Sequence, residues 1–394
     1  MPVLNRLAIV VQRCHPDVVG GSEALAWQYA QLLAGDYDVE ILTSCALDYQ
    51  TWNNVLPVGI ERRDGIAVRR FATAFPRGLY FNQLHRRLLA DFSASEGRDA
   101  SDRLPWRNAL AEEFIRFQGP WCPGLVEHVA QQHNSYHKLI FCTYLYPTTY
   151  FGLQQTPPEQ RILVPTLHDE PPAYLPAYAA MARDCRLVWL TEAERTLGTA
   201  LWNISHGDVV GMGVDAMAAA PASPASVPYL LYCGRIDESK GCRELIDAFL
   251  ALRRLRREPF RLVLTGSDHL GLPDRTDIEF LGFVEEARKR ELMAGARAFV
   301  MPSRYESFSI VTLEAMAQST PVIVNADCAV LAEHRERSSA GFAYRGRAGL
   351  IEAMQDALDL DDSARRAMGA RGRDYVMRRH AHAAVRARLL AVVA

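Results

Sequence analysis

The chain has 394 residues, which at roughly 100–200 residues per domain predicts two domains rather than one. Hydrophobic residues make up 49% of the chain and charged residues 23%, the composition of an ordinary globular protein. The 44 basic and 46 acidic side chains nearly balance. This argues against nucleic acid as a partner, because neutralising several phosphates requires a clustered cationic surface. Three of the 44 basic residues are lysines, Lys138, Lys240 and Lys289, and the others are arginines.

The first half of the sequence has the pattern of a β-loop-α-β unit. An apolar strand is predicted at Leu7–Val11, followed by a turn at Gly20-Gly21, a helix from Ser22 through Leu33 and a strand at Val39–Thr43. Further apolar strands are predicted at 66–71, 139–142, 162–166, 187–190 and 209–211. Continuous apolar strands separated by helices are typical of a parallel sheet that is covered on both faces.

Residues 73–120 lack strand signals and predict a helical excursion or a lid. Its role is either contact with an acceptor or packing. Residues 216–228 are rich in Ala, Pro and Ser and predict a linker between domains. A second α/β pattern follows, with a last helix from Arg365 to about Leu390. Its strands are predicted at 229–233, 262–265, 278–280, 298–301 and 321–324.

These patterns predict an α/β protein with two doubly wound, Rossmann-like domains that face each other across a central cleft. We expect an N-terminal acceptor-side domain at 1–215, a donor-binding domain at 229–375, and a segment at 376–394 that packs back on the N-terminal domain. Ligands of such sheets bind at the carboxyl ends of the strands, so the loops that follow the strands carry the candidate site.

The loop after the strand at 229–233 contains a cationic motif that runs from Gly234 to Gly241. Arg235 offers a planar fork for two phosphate oxygens, and Lys240 adds a compact charge, so the loop is a candidate diphosphate site. A solvated turn with two ordinary surface cations is the alternative. Of the other lysines, Lys138 precedes a strand and Lys289 lies in a charged helix, and both are interpreted as ordinary.

A second motif follows the strand at 298–301 and opens an apolar helix. Ser307 or Ser309 is suited to cap that helix, which would direct backbone amides and the positive end of the helix dipole outward. Glu306 lies ahead of the helix and Glu314 inside it, about 10 Å apart along the axis. This spacing fits a nucleotide-sugar, which has hydroxyl groups on either side of a charged middle. Acidic residues at an ordinary helix N-terminus are the alternative.

Together the two motifs resemble those of the family 4 retaining glycosyltransferases, which have the GT-B fold. The family signature of two glutamates separated by seven residues matches Glu306 and Glu314, and its G-R-x-x-x-x-K-G pattern matches 234–241. Segments 212–215 and 20–23 also resemble parts of the family. The resemblance implies a hexosyltransferase that uses a nucleoside diphosphate sugar, either UDP- or GDP-linked, retains the anomeric configuration, and needs neither a metal nor another cofactor.

The resemblance also implies roles for individual residues. Four form the predicted catalytic group, namely His168, Glu306, Arg235 and Lys240. The donor-binding group shares Arg235, Lys240 and Glu306 and adds Gly21, Phe283, Val284, Phe308, Ser309 and Glu314. In these roles Arg235 and Lys240 hold the diphosphate, Glu314 the ribose and Glu306 the sugar hydroxyls. The amides of Phe308 and Ser309 support the sugar and phosphate, Phe283 and Val284 lie beside the nucleobase, Gly21 approaches the phosphate or sugar, and His168 contacts the sugar where the bond breaks.

His168 also stands out by position, because it follows the strand at 162–166; a structural histidine that caps the strand is the alternative. The neighbouring Asp169 and Glu170 are not expected to work as an acid–base pair, because adjacent residues usually point apart. His133 and His137 have the spacing of metal ligands on a helix, but no third ligand accompanies them, so no metal site is predicted.

The segments 317–322 and 325–330 lack glycines that the family often carries there, so the donor sugar is not inferred. We expect a glycan or lipid-linked acceptor in bacterial polysaccharide or glycoconjugate biosynthesis. Dispersed cysteines, with neither a leader nor a membrane span in the sequence, predict a cytoplasmic protein. Attraction of the arginine-rich run 253–257 to the inner face of the membrane stays open. A nucleotide-sugar epimerase on the same fold and a catalytically silent nucleotide-sugar-binding subunit are the alternative functions.

Overall fold

The structure is a computed structural model that describes residues 5–18, 20–215, 217 and 227–394. The chain forms two compact units. The first comprises Met1–Gly211 with Arg386–Ala394, and the second comprises Met212–Val385. Most of the predicted linker at 216–228 lies outside the described residues.

The first unit contains an eight-stranded sheet in the order β3-β4-β2-β1-β5-β6-β7-β8. Its strands are β1 (Arg6–Val10), β2 (Asp38–Ser44), β3 (Gly59–Arg63), β4 (Ile66–Phe71), β5 (Lys138–Cys142), β6 (Arg161–Val164), β7 (Arg186–Trp189) and β8 (Asp208–Val209). Its helices are α1 (Gly21–Leu33), α2 (Leu79–Ala94), α3 (Asn108–Gln118), α4 (Pro123–Gln132), α5 (Pro147–Gln154), α6 (Pro176–Arg183) and α7 (Glu192–Trp202). All described strand pairs are parallel except β3 with β4.

The second unit contains a six-stranded parallel sheet in the order β11-β10-β9-β12-β13-β14. Its strands are β9 (Tyr229–Cys233), β10 (Arg261–Thr265), β11 (Ile278–Phe280), β12 (Ala298–Met301), β13 (Val322–Asn325) and β14 (Gly341–Tyr344). Its helices are α8 (Cys242–Leu255), α9 (Glu286–Gly295), α10 (Ile310–Ala317), α11 (Ala329–Ser338), α12 (Gly346–Asp359) and α13 (Asp362–Arg379). The last helix, α14 (His382–Val393), begins in this unit and ends in the first.

Every predicted strand is present, with its ends displaced by no more than two residues. The reason is burial on both faces: the central strands β1, β9 and β12 consist of almost fully buried apolar side chains. Strand β3 was not predicted, because its residues are mostly exposed and polar, as suits an edge strand. Strand β14, which has only four residues, was not predicted either. Residues 73–120, predicted to form a helical excursion or a lid, contain α2 and α3.

The single helix predicted from Arg365 to Leu390 is wrong, because the chain forms two helices there. The first ends at Arg379 and the second begins at His382. At the break, the backbone carbonyl of His380 accepts a hydrogen bond from Val214 N–H at 2.7 Å, and Ala381 pairs with Val214 as an isolated bridge. A continuous helix could not offer this carbonyl to another segment, since it would be used within the helix.

Gly369 in α13 is a position of close packing that gives a stability prediction. A Cβ at this residue would lie 1.9 Å from the carbonyl oxygen of Ser319, so the backbone would have to shift. We expect Gly369→Ala to lower the free energy of unfolding by about 3 kcal/mol, because overpacking outweighs the gain in helix propensity. Gly349→Ala in α12 is the matched control, since the nearest atom to its Cβ is 3.6 Å away. Denaturant titration should show the control unchanged or stabilised; equal effects of both substitutions would contradict the prediction.

No helix among the described residues is both long enough and apolar enough to cross a bilayer. All eight cysteines belong to the part of the chain that the structure describes, and each is a buried, free thiol. Burial raises the pKa of several of these thiols, for example that of Cys142 to about 12. These thiols are therefore protonated at neutral pH.

Candidate functional site

The two predicted motifs of the second unit lie where the direction of chain winding reverses. Strands β9 and β12 are parallel neighbours, and the chain continues from β9 to β10 on one side and from β12 to β13 on the other. The loop 234–241 follows β9, and the loop 302–309 follows β12. Loops that leave such a point in opposite directions open a crevice at the carboxyl ends of the strands, where ligands of doubly wound sheets bind.

The two loops meet through an ion pair between predicted site residues. Lys240 Nζ lies 2.7 Å from Glu306 Oε1, and the two side chains are 27% and 14% exposed. The predicted cation for the diphosphate and the predicted carboxylate for the sugar are therefore adjacent. Close approach of the loops requires Gly241, because a Cβ there would lie 2.5 Å from the carbonyl oxygen of Pro302. Gly241 also has a φ of 75°, which a glycine adopts without strain.

Arg235 shares the same loop and keeps an exposed guanidinium group. Its Nε lies 3.6 Å from Asp237 Oδ2, and its backbone carbonyl accepts a hydrogen bond from Tyr232 Oη at 2.6 Å. Asp237 also accepts the backbone N–H of Lys240 at 2.9 Å. Burial raises the pKa of the Asp237 carboxyl, but hydrogen bonds from Ser239 and Lys240 and the charge of Arg235 outweigh burial and lower it. An ionised Asp237 thus fixes the loop that presents both cations.

Glu314 lies inside α10 and pairs with Lys289, one of the lysines interpreted above as ordinary. Lys289 Nζ is 3.0 Å from Glu314 Oε2 and 2.9 Å from Glu286 Oε1, and its side chain is only 16% exposed. Burial raises the pKa of Glu314, and the positive charge of Lys289 opposes that rise. The interpretation of Lys289 as ordinary did not anticipate this contact with a predicted site residue. Lysine scarcity was the only sequence signal for it, because the contact with Glu314 joins separate elements.

Ser309 occupies the N-cap position of α10, but its hydroxyl does not cap the helix by accepting a backbone N–H. Instead, Ser309 Oγ lies 2.9 Å from Thr312 Oγ1. The predicted capping hydrogen bond is thus wrong for Ser309. Its φ of 57° and ψ of 60° are left-handed, a conformation that non-glycine residues adopt at an energetic cost. Phe308 and Ser309 are both buried, at 3% and 6% exposed, so the contact of their amides with a donor stays a prediction.

Phe283 and Val284 follow β11, the strand at the edge of the sheet, and so lie beside the loops after β10 and β9. The Gly282 carbonyl accepts a hydrogen bond from Gly266 N–H at 2.8 Å, which joins the loops after β11 and β10. The Phe283 ring is 75% exposed, whereas Val284 is half-buried. An exposed aromatic face of this kind is available to stack on a planar ring.

Two predicted site residues, Gly21 and His168, lie in the first unit. Gly21 is the first residue of α1, and a Cβ built there would meet no atom within 4 Å, so the backbone is open to a ligand. The preceding loop is held by an ion pair at 2.5 Å between Arg13 and Glu23, both largely buried. His168 is half-buried and follows β6, and its carbonyl accepts the Glu170 N–H at 3.0 Å.

Asp169 and Glu170 hydrogen-bond to different tyrosines. Tyr174 Oη donates to Asp169 Oδ1, and Tyr144 Oη donates to Glu170 Oε1, each at 2.7 Å. Each carboxylate therefore has a separate tyrosine partner.

The turn before His168 is held by a buried glutamate that the sequence did not reveal. Glu194 in α7 accepts the backbone N–H of Leu167 through Oε1 and that of Leu190 through Oε2, each at 2.6 Å. Burial raises the pKa of Glu194 to about 8, against the lowering effect of these hydrogen bonds. Whether the carboxyl group is ionised or protonated, it offers an oxygen that can accept a hydrogen bond to each of the two N–H groups.

We expect Glu194→Gln to lower the free energy of unfolding by about 2 kcal/mol. The side-chain amide keeps one oxygen, but its nitrogen cannot accept the second backbone N–H, which is left buried without an acceptor. Glu192→Gln is the control, because Glu192 forms a surface pair with Arg195 that contributes little. Denaturant titration of both variants tests the expectation, which fails if the two lose equal stability.

Other candidate groups make ordinary contacts. Arg253 and Arg256 form ion pairs with Asp277 and Asp359 at 3.4 and 2.6 Å. His137 Nε2 donates to the carbonyl of Val393 at 3.0 Å. Within the described residues, no three His, Cys, Asp or Glu side chains are grouped so that they could hold a metal ion.

Residues 227–359, which lie within the second unit, match the family described as "Glycosyl transferases group 1". Glycogen synthase of Mycobacterium tuberculosis is 35% identical over 182 residues, which are 42% of this chain and 43% of that protein. The chain spans less than half the length of the first curated relatives it matches.

Among solved structures, sucrose-phosphate synthase of Thermosynechococcus elongatus has a TM-score of 0.68 at 19% identity, covering 97% of this chain and 96% of that one. HepE of Anabaena, in complex with UDP and glucose, has a TM-score of 0.67 at 14% identity and covers 98% of both chains. These likenesses confirm the predicted GT-B fold with two doubly wound α/β units.

Proposed function

We propose that the protein is a retaining glycosyltransferase of the family 4 type. It transfers a hexosyl group from a nucleoside diphosphate sugar to a hydroxyl group of a glycan or lipid-linked acceptor. The single observation that carries this proposal is the contact between Lys240 and Glu306, which joins the two motif loops at the carboxyl ends of β9 and β12. The matched glycosyltransferase family in the same unit supports it.

The charges of the site suit the departure of a diphosphate. Negative charge develops on the leaving phosphate as the glycosidic bond breaks, and cations held in place beforehand stabilise that charge. Lys240 and the exposed guanidinium of Arg235 supply two cations, and the Ser309 amide at the start of α10 supplies a hydrogen-bond donor. These groups serve without a metal in the proposed reaction.

The carboxylates of the site suit the hydroxyl groups of a donor. An ionised carboxylate accepts hydrogen bonds from hydroxyl groups, and such bonds are stronger than those between neutral groups. We assign Glu306 to the transferred sugar and Glu314 to the ribose. The positive charge of Lys289 opposes the rise that burial causes in the pKa of Glu314, so Lys289 acts as a positioning residue for the donor.

Retention of configuration and the role of His168 rest on the family resemblance. In the proposed reaction the acceptor attacks the same face of the sugar from which the diphosphate leaves, and the departing phosphate oxygen takes the acceptor proton. His168 contacts the donor sugar in this scheme. UDP is favoured among the nucleotides because the solved structure of HepE, which shares this fold, contains UDP and glucose.

Binding and product assays together test the proposal. Thermal melting with UDP, GDP, ADP and dTDP and their sugars should reveal one nucleotide that raises the melting temperature. The sugar of that nucleotide is then supplied with candidate acceptors, and the anomeric configuration of the product is read by NMR. Donor turnover without any acceptor would favour an epimerase, and binding without transfer or donor hydrolysis would favour a silent subunit. No shift with any nucleotide would overturn the proposal.

A further inference from the structure

Three buried rings in the second unit form a chain of hydrogen bonds that ends beside the candidate site. His380 Nε2 lies 3.2 Å from Tyr375 Oη, Tyr375 Oη lies 3.0 Å from His334 Nδ1, and His334 Nε2 lies 2.8 Å from the carbonyl oxygen of Phe308. The three residues are at most 6% exposed. None of them belongs to the motifs found in the sequence.

The carbonyl group of Phe308, at one end of the chain, sets the direction of these hydrogen bonds. A carbonyl oxygen can only accept, so the proton on His334 is at Nε2. The Nδ1 atom of a neutral imidazole then accepts, and the hydroxyl group of Tyr375 donates to it. Burial lowers the pKa of His334 to about 4, aided by the charges of Arg337 and Arg379 and opposed by the Phe308 carbonyl. His334 is therefore neutral at physiological pH, as this arrangement requires.

The hydrogen bond from His334 fixes the direction of a backbone N–H as well as the direction of the carbonyl group that accepts it. The Phe308 carbonyl and the Ser309 N–H belong to the same planar peptide unit and point in opposite directions. A donor that holds the oxygen on one side therefore directs the N–H to the other side. The hydrogen bond also polarises the peptide, which makes its N–H a better donor.

The backbone of Ser309 shows that this peptide needs to be held. Its φ of 57° is unfavourable for a residue with a Cβ. Rotation of the peptide by half a turn would bring φ to roughly −120°, which removes the positive φ that is unfavourable for a residue with a Cβ. The same rotation would reverse the direction of the Ser309 N–H and remove the hydrogen bond of His334 to Phe308.

We propose that His334 is a positioning residue that holds the peptide between Phe308 and Ser309 so that the Ser309 N–H faces the donor phosphate. Tyr375 and His380 hold His334 in the tautomer that this requires. The inference rests on the proposed function for the identity of the ligand. The hydrogen bond and the left-handed residue are independent observations, and both concern this one peptide.

Three variants separate positioning from packing. His334→Leu fills the space but cannot donate to Phe308, whereas the amide nitrogen of His334→Gln can replace Nε2. We expect His334→Leu to weaken binding of the nucleoside diphosphate on the order of tenfold, because the peptide rotates to the relaxed conformation. His334→Gln should stay within about twofold of wild type. Isothermal titration with UDP and GDP measures the affinities.

Ser309→Gly in the His334→Leu background is the decisive variant. Glycine keeps the backbone N–H and adopts a positive φ without strain, so the functional orientation is populated again. The loss of affinity should shrink to roughly twofold or threefold. A purely structural role of His334 would not be rescued, because Ser309→Gly adds no packing. Absence of rescue, or wild-type affinity in His334→Leu, would overturn the proposal.

Determining a crystal structure of the His334→Leu variant would be a test that needs no ligand. We expect a negative φ at Ser309; a positive φ would overturn the inference. If wild type binds no nucleotide, the proposed function fails while the variant's structure still decides the role of His334.

If His334→Leu does not fold, Tyr375→Phe takes its place in both measurements. It keeps the ring, removes the hydroxyl, and should weaken binding about threefold; wild-type affinity with a positive φ at Ser309 would overturn the inference.

Discussion

Lys240→Met is expected to reduce the rate of sugar transfer by about a thousandfold while the protein stays folded. The substitution removes a cation from the leaving diphosphate, and loss of one such stabilising group commonly reduces the rate by 10²–10³-fold. It also leaves the Glu306 carboxylate, 2.7 Å away, without its counter-charge, so Glu306 would repel the phosphate. Initial rates with labelled donor test this expectation, and circular dichroism checks the fold.

Lys138→Met is the matched control for this experiment. Lys138 is a lysine in the first unit whose Nζ donates to the backbone carbonyl of Glu159, and it has no role in the proposed site. The rate of sugar transfer by Lys138→Met should equal that of wild type. Glu306→Gln should also be severely impaired, and the double variant should lose less than the sum of the two single losses, because the partners act as a unit. Wild-type rates in Lys240→Met would refute the assignment of this loop to the diphosphate.

Lys289→Met is expected to weaken binding of the nucleoside diphosphate at least tenfold at neutral pH. Burial raises the pKa of Glu314, and the positive charge of Lys289 is the largest influence that lowers it. Without Lys289 the pKa rises further, so a larger fraction of Glu314 is protonated and cannot serve as a charged acceptor for the ribose hydroxyls. Because the ionised form binds, affinity falls as the pH decreases, and in the variant this fall should begin at a higher pH.

Titration calorimetry across pH 5–8 tests the role of Lys289, with Lys289→Arg as the variant that keeps the charge. We expect the arginine variant to keep most of the affinity and to follow the wild-type pH profile. The methionine variant should also lose about 2 kcal/mol of stability, because a largely buried carboxylate is left without its cation. An unchanged affinity and pH profile in Lys289→Met would show that Glu314 does not depend on Lys289.

Much of the fold could be predicted because burial leaves a local pattern in the sequence. A central strand such as β9 needs apolar side chains on both faces, and its run Tyr229–Cys233 is therefore visible without any structure. The candidate motifs were visible for a similar reason, since each lies in one loop directly after such a strand. The edge strand β3 carries exposed polar residues and leaves no comparable pattern.

The sequence by itself determined the two motif loops and all strands except β3 and β14, because these features depend on neighbouring residues. Only the tertiary structure decided which groups meet. Lys240 contacts Glu306 across 66 positions because the sheet order places β12 beside β9. Lys289 reaches Glu314, and His334 reaches Phe308, for the same kind of reason. Periodicity reports which face of an element is buried, but the partner on the other side of that face depends on how the elements pack.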